Sequence, residues 1–204
     1  MLHFETIEPA TLDLLRSLQT LPQLNETRLV GGTALALQLG HRKSVDLDFF
    51  GKVSCASEVL RVAFLEKHDV TVIQESRNIN IYTIDNVKVD TVNYTYDWIE
   101  DAVPDTDLRL AGLKDIAAMK INAVIGRGTR KDFVDVFFLL QHFSLAEMLD
   151  LFIEKYPEGS LFLALKSLAY FEDAERYPMP VMLQKVPWAT IKKTVLGAVR
   201  AISL

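Results

Sequence analysis

A pair of glycines, a short apolar run and then two acids spaced by one residue constrain this chain more than any other feature. Val30-Gly31-Gly32-Thr33-Ala34-Leu35 leads into Arg42-Lys43-Ser44-Val45-Asp46-Leu47-Asp48-Phe49-Phe50. Side chains alternate along a strand, so Asp46 and Asp48 are expected on one face of a strand over Val45–Phe50. Two carboxylates that close repel each other unless a cation or a proton sits between them. A divalent ion that binds oxygen resolves the conflict, and magnesium in particular uses one or two carboxylates plus substrate phosphates. Gly31 and Gly32 lie upstream, where phosphate could approach bare backbone N–H groups.

A third acid sits inside another expected strand, Val87-Lys88-Val89-Asp90-Thr91-Val92. Val87, Val89 and Thr91 point one way, and Lys88 and Asp90 the other. If this strand lies beside the first, Asp46, Asp48 and Asp90 converge and could hold one or two magnesium or manganese ions, as in two-metal phosphoryl transfer. The plain alternative is that Asp90 faces water on a half-exposed sheet.

The rest of the chain frames these acids. A helix is expected over residues 8–20, a short strand at Arg28-Leu29-Val30, a helix over Thr33–Leu39 and another over Ser54–His68. Val70–Gln74 reads as a strand. Ile79–Ile84 and Val87–Tyr94 flank Asp85-Asn86, a two-residue hairpin turn. After Pro104 the pattern becomes helical: Leu113–Ile125, Lys131–His142, and a helix opened by the capping box Ser144-Leu145-Ala146-Glu147. Two more follow, one ending near Phe171 and one starting near Pro187. The expected class is α+β, with a sheet-bearing part over 1–104 and an all-helical part over 105–204. The acidic string Glu172-Asp173-Ala174-Glu175 reads as a solvated loop. The Phe137-Phe138-Leu139-Leu140 run reads as a buried helix face.

With 204 residues, half of them hydrophobic, the chain can build a core without staples. A net charge of −5 argues against a generally basic nucleic-acid coat while leaving room for a local basic patch. The one cysteine, Cys55, cannot form an internal disulfide. With the absence of a basic-then-apolar leader at Met1-Leu2-His3-Phe4-Glu5 and of any membrane-length apolar run, it points to a cytoplasmic protein with no membrane partner. His41 and His68 have no zinc-ligand spacing around them.

The order of these motifs resembles the nucleotidyltransferase fold of polymerase-beta-like enzymes. The longer string, from Gly31-Gly32-Thr33-Ala34-Leu35 to Arg42-x-Ser44-x-Asp46-Leu47-Asp48-Phe49-Phe50, resembles the AbiEii/AbiGii toxin family in particular. The likeness runs from about residue 28 to about residue 190 and includes the Ser167–Glu175 segment and the Pro178-Met179-Pro180 that follows it. It implies further site residues on the helical part: Lys120, Arg127, Asp132 and Asp135. Lys131 departs from the arginine expected before the acid, which keeps charge and loses bidentate geometry.

The residues make sense of that implication. Lys120 projects beside an apolar stripe rather than from a solvated face, which suits either a phosphate contact or a side chain snorkelling to water. Asp132 and Asp135, a helical turn apart, could pair with nearby cations, orient Lys120 or Arg127, or act as a base. Thr33, Arg42 and Ser44 could bind the triphosphate of an NTP, or cap and close their loop. The resemblance implies a magnesium-dependent enzyme that moves a nucleoside monophosphate from an NTP to a hydroxyl, such as a tRNA 3′ end. It also implies a toxin restrained by an antitoxin. The competing expectation is a non-catalytic nucleotide- or RNA-binding module, or a protein-interaction module, on the same fold.

Overall fold

A computed structural model describes residues 1–104 and 106–202, and the chain forms two compact units. The first comprises residues 1–38, 44–95 and 102–111; the second comprises 39–43, 96–101 and 112 onward. Asp105, where the helical part was expected to begin, lies outside the described residues. Among those residues no helix is long and apolar enough to cross a membrane.

The first unit is a five-stranded mixed sheet with helices. Its strands are β1 (Thr27–Leu29), β2 (Leu47–Gly51), β3 (Val70–Gln74), β4 (Ile79–Ile84) and β5 (Val87–Asn93), in the order β1-β2-β5-β4-β3. β2 and β5 run parallel, and the other pairs are antiparallel. Its helices are α1 (Pro9–Gln19), α2 (from Gly31 to Leu39) and α3 (Ser57–Leu65). Leu47, Phe49, Tyr82, Ile84 and Val89 are fully buried on one face of the sheet, with Leu14, Leu15, Leu18, Leu35 and Phe64 in the same core. Asp48 and Asp90 therefore alternate onto the opposite face.

The β4–β5 hairpin turns at Asp85 and Asn86 with φ of 48° and 66°, the positive values that a two-residue turn with matching twist requires. Asp85 has a further task. Its Oδ2 lies 2.6 Å from His68 Nδ1, and His68 Nε2 lies 2.9 Å from the Ser17 hydroxyl, so one relay ties the hairpin turn to α1.

Several boundaries differ from expectation. β2 starts at Leu47, so Asp46 precedes the strand instead of lying within it. α2 begins at Gly31 rather than Thr33, because the chain turns out of β1 directly into the helix. α3 spans Ser57–Leu65, shorter at both ends than the expected Ser54–His68.

The second unit is helical: α4 (Leu113–Gly126), α5 (Arg130–Leu139), α6 (Leu145–Lys155), α7 (Leu161–Leu168), α8 (Glu172–Glu175) and α9 (Trp188–Ala201). Ser144 and Glu147 form the capping box that opens α6. A buried ion pair fixes residues 97–100 to this bundle. Lys155 donates to Asp115 at 2.7 Å and to the Asp97 carbonyl at 2.8 Å, while Asp115 accepts the Ile99 and Glu100 N–H groups. The acidic string is a short helix, α8, instead of a loop, and its acids Glu172, Asp173 and Glu175 stay exposed as expected. Ala174 is buried, and Glu175 accepts hydrogen bonds from Arg130, Trp188 and Lys192.

Candidate active site

β1 ends where Gly31 takes a φ of +68°, a region that costs a residue with a Cβ. The Val30 N–H donates to the Asp48 carbonyl at 2.9 Å, which holds this turn against β2. A Cβ on Gly31 would fall 2.3 Å from Asp48 Oδ2. The first glycine is thus fixed twice over, by its dihedral and by the carboxylate that occupies the space a side chain would need. Gly32 continues into α2. The next residue, Thr33, bonds the Ser44 hydroxyl at 2.8 Å and donates a short hydrogen bond to the Asp46 carbonyl. The two hydroxyls thereby close the loop that delivers the chain from α2 to β2.

Asp48 and Asp90 are direct register partners across the parallel strands β2 and β5. Neighbouring strands lie about 4.8 Å apart, so their side chains share one face and meet. Asp46 stands two residues ahead of Asp48, just outside the ladder. Lys88 is on the Asp90 face as well, and its ammonium reaches both Asp90 oxygens at 2.6 and 2.5 Å. Lys88 is 44% exposed and Asp90 20% exposed, so this pair is in contact with water and easily exchanged.

Among the described residues, no three His, Cys, Asp or Glu side chains are gathered into a metal-holding cluster. The donor chemistry nevertheless fits a hard divalent cation. Asp48 and Asp90 offer carboxylate oxygens from adjacent strands, and the missing Cβ of Gly31 leaves Asp48 its room.

The second unit brings the remaining acids and bases into a buried network. Asp135 is fully buried and receives three partners. His41 Nε2 lies 2.8 Å from Oδ1, Arg42 binds both oxygens at 2.7 and 2.9 Å, and Lys120 approaches Oδ2 at 2.7 Å. Asp132 accepts both Arg127 donors at 2.9 Å and also lies 3.4 Å from Lys120. It closes the α5 capping box as well, through the Thr129 hydroxyl at 2.6 Å and the Thr129 N–H at 3.2 Å.

These contacts set the protonation states. Burial alone would raise the Asp132 carboxyl, yet Lys120, Arg127 and Thr129 outweigh it and hold the group down to about 2. Asp135 is likewise held well below the usual carboxylate range, because Arg42, Lys120 and His41 overcome the cost of burial. Burial pushes the His41 imidazole down despite the pull of Asp135. Asp132 is therefore an ionised anchor with its lone pairs engaged and a poor proton acceptor. Arg42 is 3% exposed, with its guanidinium spent on Asp135, whereas the Arg127 side chain is 55% exposed.

Sequence reasoning did not foresee the partnership of Asp135 with His41 and Arg42, which are more than 90 residues away along the chain. The only local signal was the presence of these cations directly before Ser44.

The chain is 35% identical over 161 residues to an uncharacterized protein of Aquifex aeolicus (strain VF5), covering 74% of this chain and 76% of that protein. Its fold is similar to the crystal structure of JHP933 from Helicobacter pylori, with a TM-score of 0.58, 17% identity and coverage of 96% and 93% of the two chains. It is also similar to MenT4, a nucleotidyltransferase toxin from Mycobacterium tuberculosis, with a TM-score of 0.61, 15% identity and coverage of 93% and 81%. The family model described as "Nucleotidyl transferase AbiEii toxin, Type IV TA system" matches residues 13–68 and 56–202. The chain, with its paired strand acids and glycine turn, belongs to that family of toxin–antitoxin nucleotidyltransferases.

Proposed function

We propose that the protein transfers a nucleoside monophosphate from an NTP to a hydroxyl acceptor on RNA, forming a phosphodiester and releasing pyrophosphate, with the 3′ end of a tRNA as the candidate, and that it acts in the cytoplasm as a toxin with a dedicated antitoxin. The observation that carries the reading is the Asp48–Asp90 register on a face kept open beside Gly31.

Asp48 and Asp90, with Asp46, would hold magnesium or manganese. When bound, such ions neutralise phosphate charge and polarise the reacting oxygens. Asp90 would take the proton of the attacking hydroxyl once Lys88 releases it. Gly31 and Gly32 offer backbone N–H groups to phosphate, and Thr33 and Ser44 hold the loop that presents Asp46. Arg127, whose guanidinium is exposed, is assigned to offsetting phosphate charge and Asp132 to orienting it, while Lys120 is spent on Asp135 and Asp132. Rate enhancement then comes mainly from positioning and electrostatics.

The test is incubation of the protein with each α-labelled NTP and total tRNA, with magnesium or with a chelator. Label should enter RNA only with metal, and Asp48→Asn with Asp90→Asn should abolish it. The clasp of Lys88 on Asp90 favours a rival, a non-catalytic nucleotide binder. Metal-independent NTP binding without transfer to any acceptor would establish that rival and remove the enzyme reading.

A further inference from the structure

The last stretch of the sequence is electrically one-sided. After Glu175 no acid occurs to the end of the chain, while Arg176, Lys185, Lys192, Lys193 and Arg200 do. This contrasts with the net charge of −5 for the whole protein. α9 carries three of those cations, Lys192, Lys193 and Arg200, and its burial pattern is sharply two-faced. Ile191 and Val195 are fully buried, whereas Thr190, Lys193, Thr194, Gly197 and Arg200 are exposed. Those exposed positions recur at helical spacing and form one stripe.

The cations in the stripe are not consumed by structure. Lys192 is committed to Glu175 at 2.6 Å and lies over Trp188. Lys193 and Arg200 meet no acidic side chain among the described residues. They stand seven residues apart, about 10 Å along the axis. Gly197 lies between them, and a Cβ built there would touch nothing within 4 Å. The helix surface at that point is bare backbone with open space in front.

An apolar groove of about 340 Å³ runs beside this stripe, lined by Leu140, Phe143, Leu145, Ala198 and Ile202, with Thr194 at its border. Phe143 is half-buried, so part of its ring is presented to the groove. Glu147, the acid near its mouth, is engaged in capping Ser144 at 2.7 and 2.8 Å. A cationic rail next to an aromatic-bearing slot is the arrangement that single-stranded nucleic acid favours: phosphates follow the charges and a base enters the slot.

We propose that the exposed face of α9 is an RNA-docking rail, with Lys193 and Arg200 taking backbone phosphates and the groove at Phe143 taking a base. The inference rests on the RNA acceptor assigned above, and it adds a surface on the second unit for holding that acceptor. RNA is favoured over an anionic membrane because the stripe between the cations consists of Thr194 and Gly197, which offer a hydroxyl and bare backbone instead of large apolar anchors.

The experiment is fluorescence anisotropy of labelled total tRNA against the full chain, without NTP or metal, at several salt concentrations. The variants are Lys193→Gln with Arg200→Gln, and separately Phe143→Leu, each checked for unchanged melting temperature. The charge variant should bind about ten-fold more weakly and lower the salt slope by about 2. Phe143→Leu should weaken binding about ten-fold with the salt slope unchanged. Unaltered affinity and slope in the charge variant would overturn the rail even if the wild-type enzyme labels RNA. The reverse result, RNA binding lost in the variants while the wild type transfers no nucleotide, would keep the rail and remove the enzymatic reading. Binding to phosphatidylglycerol vesicles with none to tRNA would also overturn it.

Discussion

Asp48 and Asp90 stand opposite each other across the parallel pair β2–β5, the relationship on which the proposed chemistry turns. Neither side chain is fully buried and neither supports the core. Asp48→Asn or Asp90→Asn should therefore change stability by less than about 1 kcal/mol. Transfer should fall by about 100-fold or more, the scale on which a single charge-stabilising group acts. Labelled-NTP assays alongside urea denaturation check both halves.

Lys88 gives that prediction a sign. Its contact with Asp90 is partly exposed, so Lys88→Met should alter stability by no more than about 1 kcal/mol. With its competitor gone, Asp90 should take the cation more readily. The magnesium concentration for half-maximal transfer should drop, and a rise would show that Lys88 assists the metal instead of competing with it.

Gly31→Ala tests the neighbouring turn. Alanine pays for the +68° dihedral and also pushes its Cβ to within 2.3 Å of Asp48 Oδ2. A loss of about 1–3 kcal/mol is expected from strain alone. Activity should fall further than stability explains, because the carboxylate has to move. Gly197→Ala is the control: open space surrounds that position, and its substitution should stabilise α9 by about 0.5–1 kcal/mol.

What could be read from the sequence was local. Asp85-Asn86 signalled its hairpin because positive φ has few tolerant residues, and Ser144 with Glu147 signalled a helix start because capping has a fixed spacing. Alternation set Val89 and Asp90 on opposite faces without a structure. Long-range pairing was hidden. Nothing near Lys155 announces Asp115, and nothing near Asp135 announces His41 or Arg42, because buried charges choose partners through tertiary packing. The partners of Glu175 were hidden for the same reason: Arg130, Trp188 and Lys192 come from elsewhere in the chain to bond it.

The Asp135 network should be costly to break on one side. Asp135→Asn leaves Arg42 and Lys120 buried without their counter-charge. Removing one partner of a buried ion pair costs about 3–5 kcal/mol. Urea unfolding should show a loss of that size, far above the effect of Asp48→Asn. A loss under about 1 kcal/mol would mean that the two cations find water readily.

The same network predicts how the fold responds to acid. Asp132 is held at about 2 against an ordinary 3.8, so its contribution is complete above the unfolded value and vanishes as pH falls from about 3.8 to about 2. That shift is worth about 2 kcal/mol. Asp135, also depressed, adds a loss on the acid side. His41 acts earlier. Burial lowers its imidazole below the ordinary 6.5, so the folded state favours the neutral ring, and stability declines once pH drops through the unfolded value. Melting temperature against pH should thus fall in two stages, one beginning near 6.5 and one below 4. His41→Gln should erase the first and keep the second, while Asp132→Asn should start from a lower plateau and flatten the second. A melting temperature level from pH 7 to pH 5 in the wild type would show that the His41 ring is protonated as easily inside the fold as in water.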